Sequence, residues 1–147
     1  MNQGQLATSL KRWGVRVTPQ RLAIAEVVIN ADDHPSVQQI HERVSDQFPY
    51  ITLATVYATL SVLGKQGLIQ ELPFQKQSRY EANLTPHANL VCVSCGTVTD
   101  TEIGEDLITT LRREVSVKAE FDIASQRVDF YGWCPTCPVG TYQDGSR

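Results

Sequence analysis

A chain of 147 residues, 41% hydrophobic and 20% charged, has the make-up of an ordinary globular protein able to bury one core or two small ones. Its apolar runs are short and broken by polar residues, and MNQGQLATSL at the N-terminus lacks the basic and apolar regions of a secretory signal, which argues against a membrane protein and predicts a cytoplasmic one. The net charge of −3 is uneven: residues 1–82 hold eight Lys/Arg against seven Asp/Glu and residues 83–147 five against nine, so the acid is concentrated in the second half.

In chain order, Lys11, Arg12, Arg16 and Arg21 come first, uninterrupted by any acid before Glu26; this is either a solvated face or a positive patch suited to phosphate. VTPQRLAIAEVVI predicts a helix with Thr18 as N-cap, Pro19 at its first position, and Leu22, Ile24, Ala25, Val28 and Ile29 as its apolar face. In HPSVQQIHERVSDQF, Ser36 and Gln39 have capping-box spacing, Val37, Ile40, Val44 and Phe48 form an apolar stripe, and Pro49 ends the helix. A third helix starts at Thr52, carries Leu53, Val56, Leu60 and Leu63, and stops near Gly67. Two capped helices joined by a few residues predict a helix-turn-helix. Two short β-like runs in LIQELPFQKQSRYEA, around a polar loop from Gln75 to Ser78, complete a winged helix over residues 1–82.

EANLTPHA reads as a hinge, placed at 83–88. Residues 89–147 then follow a strand, strand, helix, strand order: NLVCV, TVTDT, Glu105 to Val117, and QRVDFYGW, with the final TYQDGSR expected to fray. The fold class is therefore α+β, an N-terminal winged helix followed by an α/β domain.

The four cysteines fall into two matched pairs, Cys92/Cys95 and Cys134/Cys137, each after a strand-like run. Four thiolates from two such knuckles suit tetrahedral structural zinc, which would clamp the last strand to the first β-run of its domain. WCPTCP also resembles a thioredoxin-type motif. The residues after it, PVGTYQDGSR, cannot build the helix that would lower the thiol pKa. Of the three histidines, His34, His41 and His87, a lone one is more often a solvent or capping residue than a ligand. His34 and His87 nonetheless sit beside turns at domain edges: His34 precedes the Pro35/Ser36 start of a helix, and His87 lies in the hinge, six residues after Glu81 and thirteen before Asp100. Nitrogen and carboxylate oxygen together suit Fe(II), Mn(II) or Zn(II) in a second site.

Taken together, VTPQR, HPSVQQIHERV, TLATVYATLSVLGKQGLI, RYE, PHANLVCVSCG and YGWCPTC resemble the ferric uptake regulator family of bacterial metal-dependent repressors over nearly the whole chain. The resemblance implies a homodimer with an N-terminal winged helix for double-stranded DNA and a C-terminal α/β dimerisation domain. It implies structural Zn2+ at Cys92, Cys95, Cys134 and Cys137. It maps a regulatory site for Fe2+ or Mn2+ onto His34, Glu81, His87 and Asp100, joined in the family by a second histidine where this chain has Asn89. An asparagine carbonyl is a poorer ligand for iron or zinc than imidazole. A further peripheral site of the family has Ala88 and Gln126 at its expected positions and is not predicted here. The family's peroxide-responsive repressors have an aspartate like Asp100 as last ligand, whereas iron sensors usually have glutamate; oxidation of histidines matching His34 and His87 inactivates the former. The resemblance thus implies a peroxide-responsive repressor, with iron- or manganese-sensing repression as the alternative. A thiol oxidoreductase and a zinc-stabilised interaction module without DNA are readings from other classes.

On the winged-helix reading, the helix from Leu53 to about Gln66 enters the major groove of a palindromic operator. It has no charged residue before Lys65, so contacts would come from Thr52, Thr55, Tyr57 and Thr59, with Lys11, Arg16 and Arg21 neutralising phosphates. The resemblance puts Tyr57 first among these; the competing reading is an aromatic packed on the preceding helix.

Overall fold

The computed structural model describes residues 2–74 and 77–140; Gln75 and Lys76 of the expected wing loop, and TYQDGSR, lie outside the described residues. The chain divides into two compact units, 1–84 and 85–147.

The first unit holds α1 (Gln3–Arg12), α2 (Pro19–Ile29), α3 (Val37–Ser45), α4 (Leu53–Lys65), β1 (Gln70–Pro73) and β2 (Ser78–Glu81). The sequence reading had no α1. Its signals are small: a capping box between Asn2 and Gln5, two fully buried leucines, Leu6 and Leu10, one turn apart, and Lys11 and Arg12 in the last turn, where the helix dipole favours cations. Lys11 and Arg12 thereby lie on the last turn of a helix.

The other three helices start where their caps predict. Thr18 accepts from Arg21 N ahead of Pro19, Ser36 and Gln39 close a reciprocal capping box, and Thr52 accepts from Thr55 N. α3 ends at Ser45, earlier than Pro49 requires, leaving Phe48 beyond the helix and only partly buried. α2 lies at the centre, with Ala23, Ile24, Ala25 and Val28 buried among Leu6 and Leu10 of α1, Ile40 and Val44 of α3, and Val56, Leu60 and Leu63 of α4. Gly67, at φ 69°, takes the left-handed conformation that lets the chain leave α4 for β1. β1 and β2 pair antiparallel, Glu71 opposite Tyr80 and Leu72 opposite Arg79, as the wing of a winged helix.

The second unit contains β3 (His87–Cys92), β4 (Val98–Glu102), α5 (Glu105–Ala119) and β5 (Val128–Gly132). Its sheet has the order β4-β3-β5, with β3 antiparallel to β4 and parallel to β5. β3 starts at His87, so His87 and Ala88, read from the sequence as hinge, are strand residues. α5 has Glu105 and Asp106 in its first turn, favourable at the positive end of the helix, and buries only Ile108. Among the described residues the buried apolar set of this unit is Ala88, Cys92, Val98 and Ile108, a small core for its length.

Candidate metal centres and nucleic-acid interface

In the second unit the strands deliver the cysteines. β3 ends at Cys92 and β5 at Gly132, two residues before Cys134; the strands are adjacent and parallel, with Cys92 opposite Gly132. Each pair then turns on itself: Gly96 N donates to Cys92 O, with Gly96 at φ 75°, and Cys137 N donates to Cys134 O. All four sulfurs lie within 4.8 Å of one another, and Cys95 Sγ is 3.8 Å from Cys134 Sγ. Four sulfurs about 2.3 Å from a tetrahedral zinc sit about 3.8 Å apart, so the donor set fits that ion. None of the four is in a disulfide.

Local polarity prepares the thiolates unequally. Hydrogen bonds from the Cys95 and Cys134 backbone amides bring Cys92 down to about 6; Cys134 N donates to its sulfur at 3.3 Å. The Thr136 hydroxyl lowers Cys134. Cys137 goes the other way, to about 11: the Ser94 hydroxyl lowers it, and the neighbouring sulfurs of Cys134 and Cys95 more than reverse that. Thiolates this close repel one another, and a divalent cation removes the conflict.

The remaining candidate ligands fall into one group in each unit. In the first, His34 occupies a left-handed backbone conformation, φ 49°, which costs a non-glycine residue about 1–3 kcal/mol and concentrates at functional sites. The turn is held from β2: Tyr80 N donates to Pro35 O at 3.1 Å, and Arg79 reaches both His34 O and Gln39 Oε1 at 3.2 Å. Gln39 is the residue closing the α3 capping box, so helix start, turn and strand are fixed together. The result places Glu81 Oε2 3.2 Å from His34 Nε2, both side chains buried.

In the second unit, His87 Nδ1 lies 2.7 Å from Thr85 O. A carbonyl can only accept, so Nδ1 is the donor here, which leaves Nε2 as the ring nitrogen available to a metal. Nε2 is 3.9 Å from Asp100 Oδ1 on β4. Asn89, on the same face of β3, is 1% exposed and sits in register between Asp100 and Asp129. Its Nδ2 donates to Asp129 Oδ1 at 3.0 Å, while its Oδ1 is buried with no hydrogen-bond partner. A buried acceptor left unsatisfied costs about 1–3 kcal/mol, and a cation would satisfy it. Imidazole nitrogen with carboxylate and amide oxygen fits Fe(II) or Mn(II). His41, by contrast, is spoken for: its Nε2 lies 2.9 Å from Ile51 O in the turn between α3 and α4.

On α4 the outward face is Leu53, Ala54, Tyr57, Ala58, Ser61 and Lys65. Tyr57 is 51% exposed, which favours the surface role over packing against the preceding helix. Thr52 is exposed and Thr55 half-buried, their hydroxyls 3.0 Å apart at the N-cap. Thr59 departs from expectation: it is 2% exposed and its hydroxyl donates to Thr55 O at 2.9 Å, so it faces the core and cannot reach a groove. Ser61 was missed, although its spacing of four residues from Tyr57 and Lys65 puts it on their face. Lys11 and Arg16 are exposed, and Arg21 donates to Arg16 O at 3.1 Å, which joins the two arginines.

A profile of the Ferric uptake regulator family matches residues 12–131. The chain is 33% identical over 130 residues to the peroxide-responsive repressor PerR of Staphylococcus aureus, spanning 88% of this chain and 86% of that one. Its fold is similar to that of the ferric uptake regulator Fur of Helicobacter pylori, described as having three functional metal-binding sites, with a TM-score of 0.74 at 25% identity over 91% of this chain and 89% of the other. The ferric uptake regulator of Vibrio cholerae matches with a TM-score of 0.70 at 29% identity, over 86% and 98%.

Proposed function

The chain belongs to the ferric uptake regulator family, and from that premise we propose that it is a peroxide-responsive repressor, controlled by Fe(II) or Mn(II), that binds a palindromic operator as a homodimer in the cytoplasm. The observation that carries this reading is the pair of imidazole–carboxylate couples, His34–Glu81 and His87–Asp100, one in each unit and at positions matching the family's regulatory ligands. With Asn89, these residues serve one regulatory metal, while Cys92, Cys95, Cys134 and Cys137 hold structural zinc.

Ligands drawn from both units make metal binding a conformational vote. The ion stabilises the arrangement of the dimer that it binds best, and the shift equals its differential affinity for that state. The first unit then contacts DNA. Tyr57, Ser61 and the N-cap threonines meet base edges and phosphate, and Lys11, Arg16 and Arg21 neutralise the backbone. The acidic second unit holds the two copies together: Leu107, Leu111 and Val115 recur every fourth residue on α5 and are exposed, as are Phe130 and Tyr131 of β5. A stripe of this kind on a small-cored unit calls for a partner, and a second copy supplies the matching stripe.

Bound Fe(II) supplies the chemistry that turns peroxide into a local oxidant. The residues contribute its target: Thr85 holds His87 in place, and the Pro35–Tyr80 and His34–Arg79 hydrogen bonds hold His34. Anaerobic iron loading followed by peroxide should add one oxygen atom to peptides containing His34 or His87 and abolish operator binding. Unmodified peptides with DNA binding intact would overturn the peroxide arm. A second reading, an iron- or manganese-uptake repressor of the same family, is favoured by one observation, the amide oxygen of Asn89 where the family has imidazole. The thiol-oxidoreductase alternative is opposed by the four clustered sulfurs and by the turn, not helix, at Cys134–Cys137.

A further inference from the structure

The buried amide of Asn89 has two ends of opposite chemistry, and a strand contact decides which end is presented. β3 is the middle strand, with Asp100 of β4 paired to Asn89 on one side and Asp129 of β5 on the other. Cross-strand partners keep their Cβ atoms about 4.5–5.5 Å apart, close enough for short polar side chains to meet. A carboxylate accepts only, so the Asn89 atom 3.0 Å from Asp129 Oδ1 has to be the NH2 group. The carbonyl oxygen is then the opposite end of the amide, turned from Asp129, and it is buried without a hydrogen bond.

Asp129 is itself fixed. Arg127 contacts it through Nη2 at 2.8 Å and through Nε at 2.9 and 3.1 Å to its two oxygens. Contacts from one guanidinium to both oxygens fix the orientation of the carboxylate, and either oxygen offers Asn89 an acceptor. The chain from Arg127, just ahead of β5, to Asp129 to Asn89 therefore leaves one amide orientation, and it runs within the second unit.

We infer that Asp129, held by Arg127, is a positioning residue that makes Asn89 an oxygen ligand of the regulatory metal, so that the second unit offers one imidazole nitrogen and otherwise oxygen. The chemistry selected is that of a divalent cation accepting mixed nitrogen and oxygen donors, manganese(II) in the first place. This rests on the regulatory-site reading above and names the residue that tunes it. No direct contact between Asp129 and the metal is involved.

The test is manganese(II) binding to the zinc-loaded, full-length protein, read from the electron paramagnetic resonance of free manganese, with zinc content and mass of the assembly as controls for folding. Asp129→Asn, which can present either end of its own amide, should weaken manganese binding about 10-fold or more, the usual scale for losing an outer-sphere partner. Asn89→Ala should weaken it at least as much, and the cobalt(II) ligand-field spectrum should shift in the same direction in both. The charge-neutral exchange Asn89→Asp with Asp129→Asn presents oxygen again and should restore binding. Wild-type affinity in Asp129→Asn, or failure of the exchange to restore it while zinc and assembly are intact, overturns the inference alone. Failure of the wild-type protein to take up any metal beyond its zinc overturns the regulatory-site reading and this inference together.

Discussion

Stripping zinc from the four-cysteine site should unfold the second unit and leave the first standing. Among the described residues of the second unit the buried apolar set comprises Ala88, Cys92, Val98 and Ile108, and Cys92 is itself one of the four sulfur ligands. Structural zinc contributes apparent binding energies of about 10–16 kcal/mol at neutral pH, whereas whole domains retain only about 5–15 kcal/mol of net stability. The metal's share thus equals or exceeds what a unit of this size holds in total. The first unit has no such debt: Leu6, Leu10, Ile24, Val28, Ile40, Val44, Val56 and Leu63 are fully or almost fully buried in one cluster. Amide hydrogen exchange, followed by mass spectrometry on zinc-loaded protein, chelator-stripped protein and Cys134→Ala, reads both units at once. Protection should vanish in β3, β4 and β5 on metal loss while α2, α3 and α4 keep theirs. Equal protection of β3–β5 with and without zinc would refute the argument that the metal substitutes for core.

Other changes separate the roles assigned to single residues. Tyr57→Phe removes one exposed hydroxyl and should cost about 1 kcal/mol of operator affinity with Tm unchanged; a fall in Tm instead would mean the ring is structural. Thr59→Val keeps the shape of a buried side chain, so DNA binding should persist, and its loss would restore Thr59 to the interface. His87→Ala should leave zinc content and dimer mass intact and abolish metal-dependent operator binding, measured by fluorescence anisotropy. Leu111→Asp puts a charge in the exposed stripe of α5 and should yield monomers in analytical ultracentrifugation; an unchanged dimer would place the interface elsewhere.

What the sequence made legible follows a physical division. The caps at Thr18, Ser36 and Thr52 are local chemistry and their positions were readable, as were the two cysteine knuckles, whose function is written in short-range spacing. α1 escaped because two leucines one turn apart are a faint periodic signal, even with Asn2 and Gln5 marking its start. Thr59 was misplaced because a threonine on a helix reads as polar, whereas its hydroxyl satisfies itself on Thr55 O and frees the methyl for the core. The left-handed turn at His34 and the orientation of Asn89 were beyond reach, since each is set by a strand distant in sequence, β2 in one case and β5 in the other.

The most direct test of metal-controlled repression is to pass sheared chromosomal DNA from the host over the immobilised, zinc-loaded protein, with manganese(II) and then with a chelator too weak to remove the zinc, and to sequence what is retained. Fragments sharing an inverted repeat, held with manganese and released by the chelator, are the predicted result. Retention of the same fragments regardless of the regulatory metal would contradict the account.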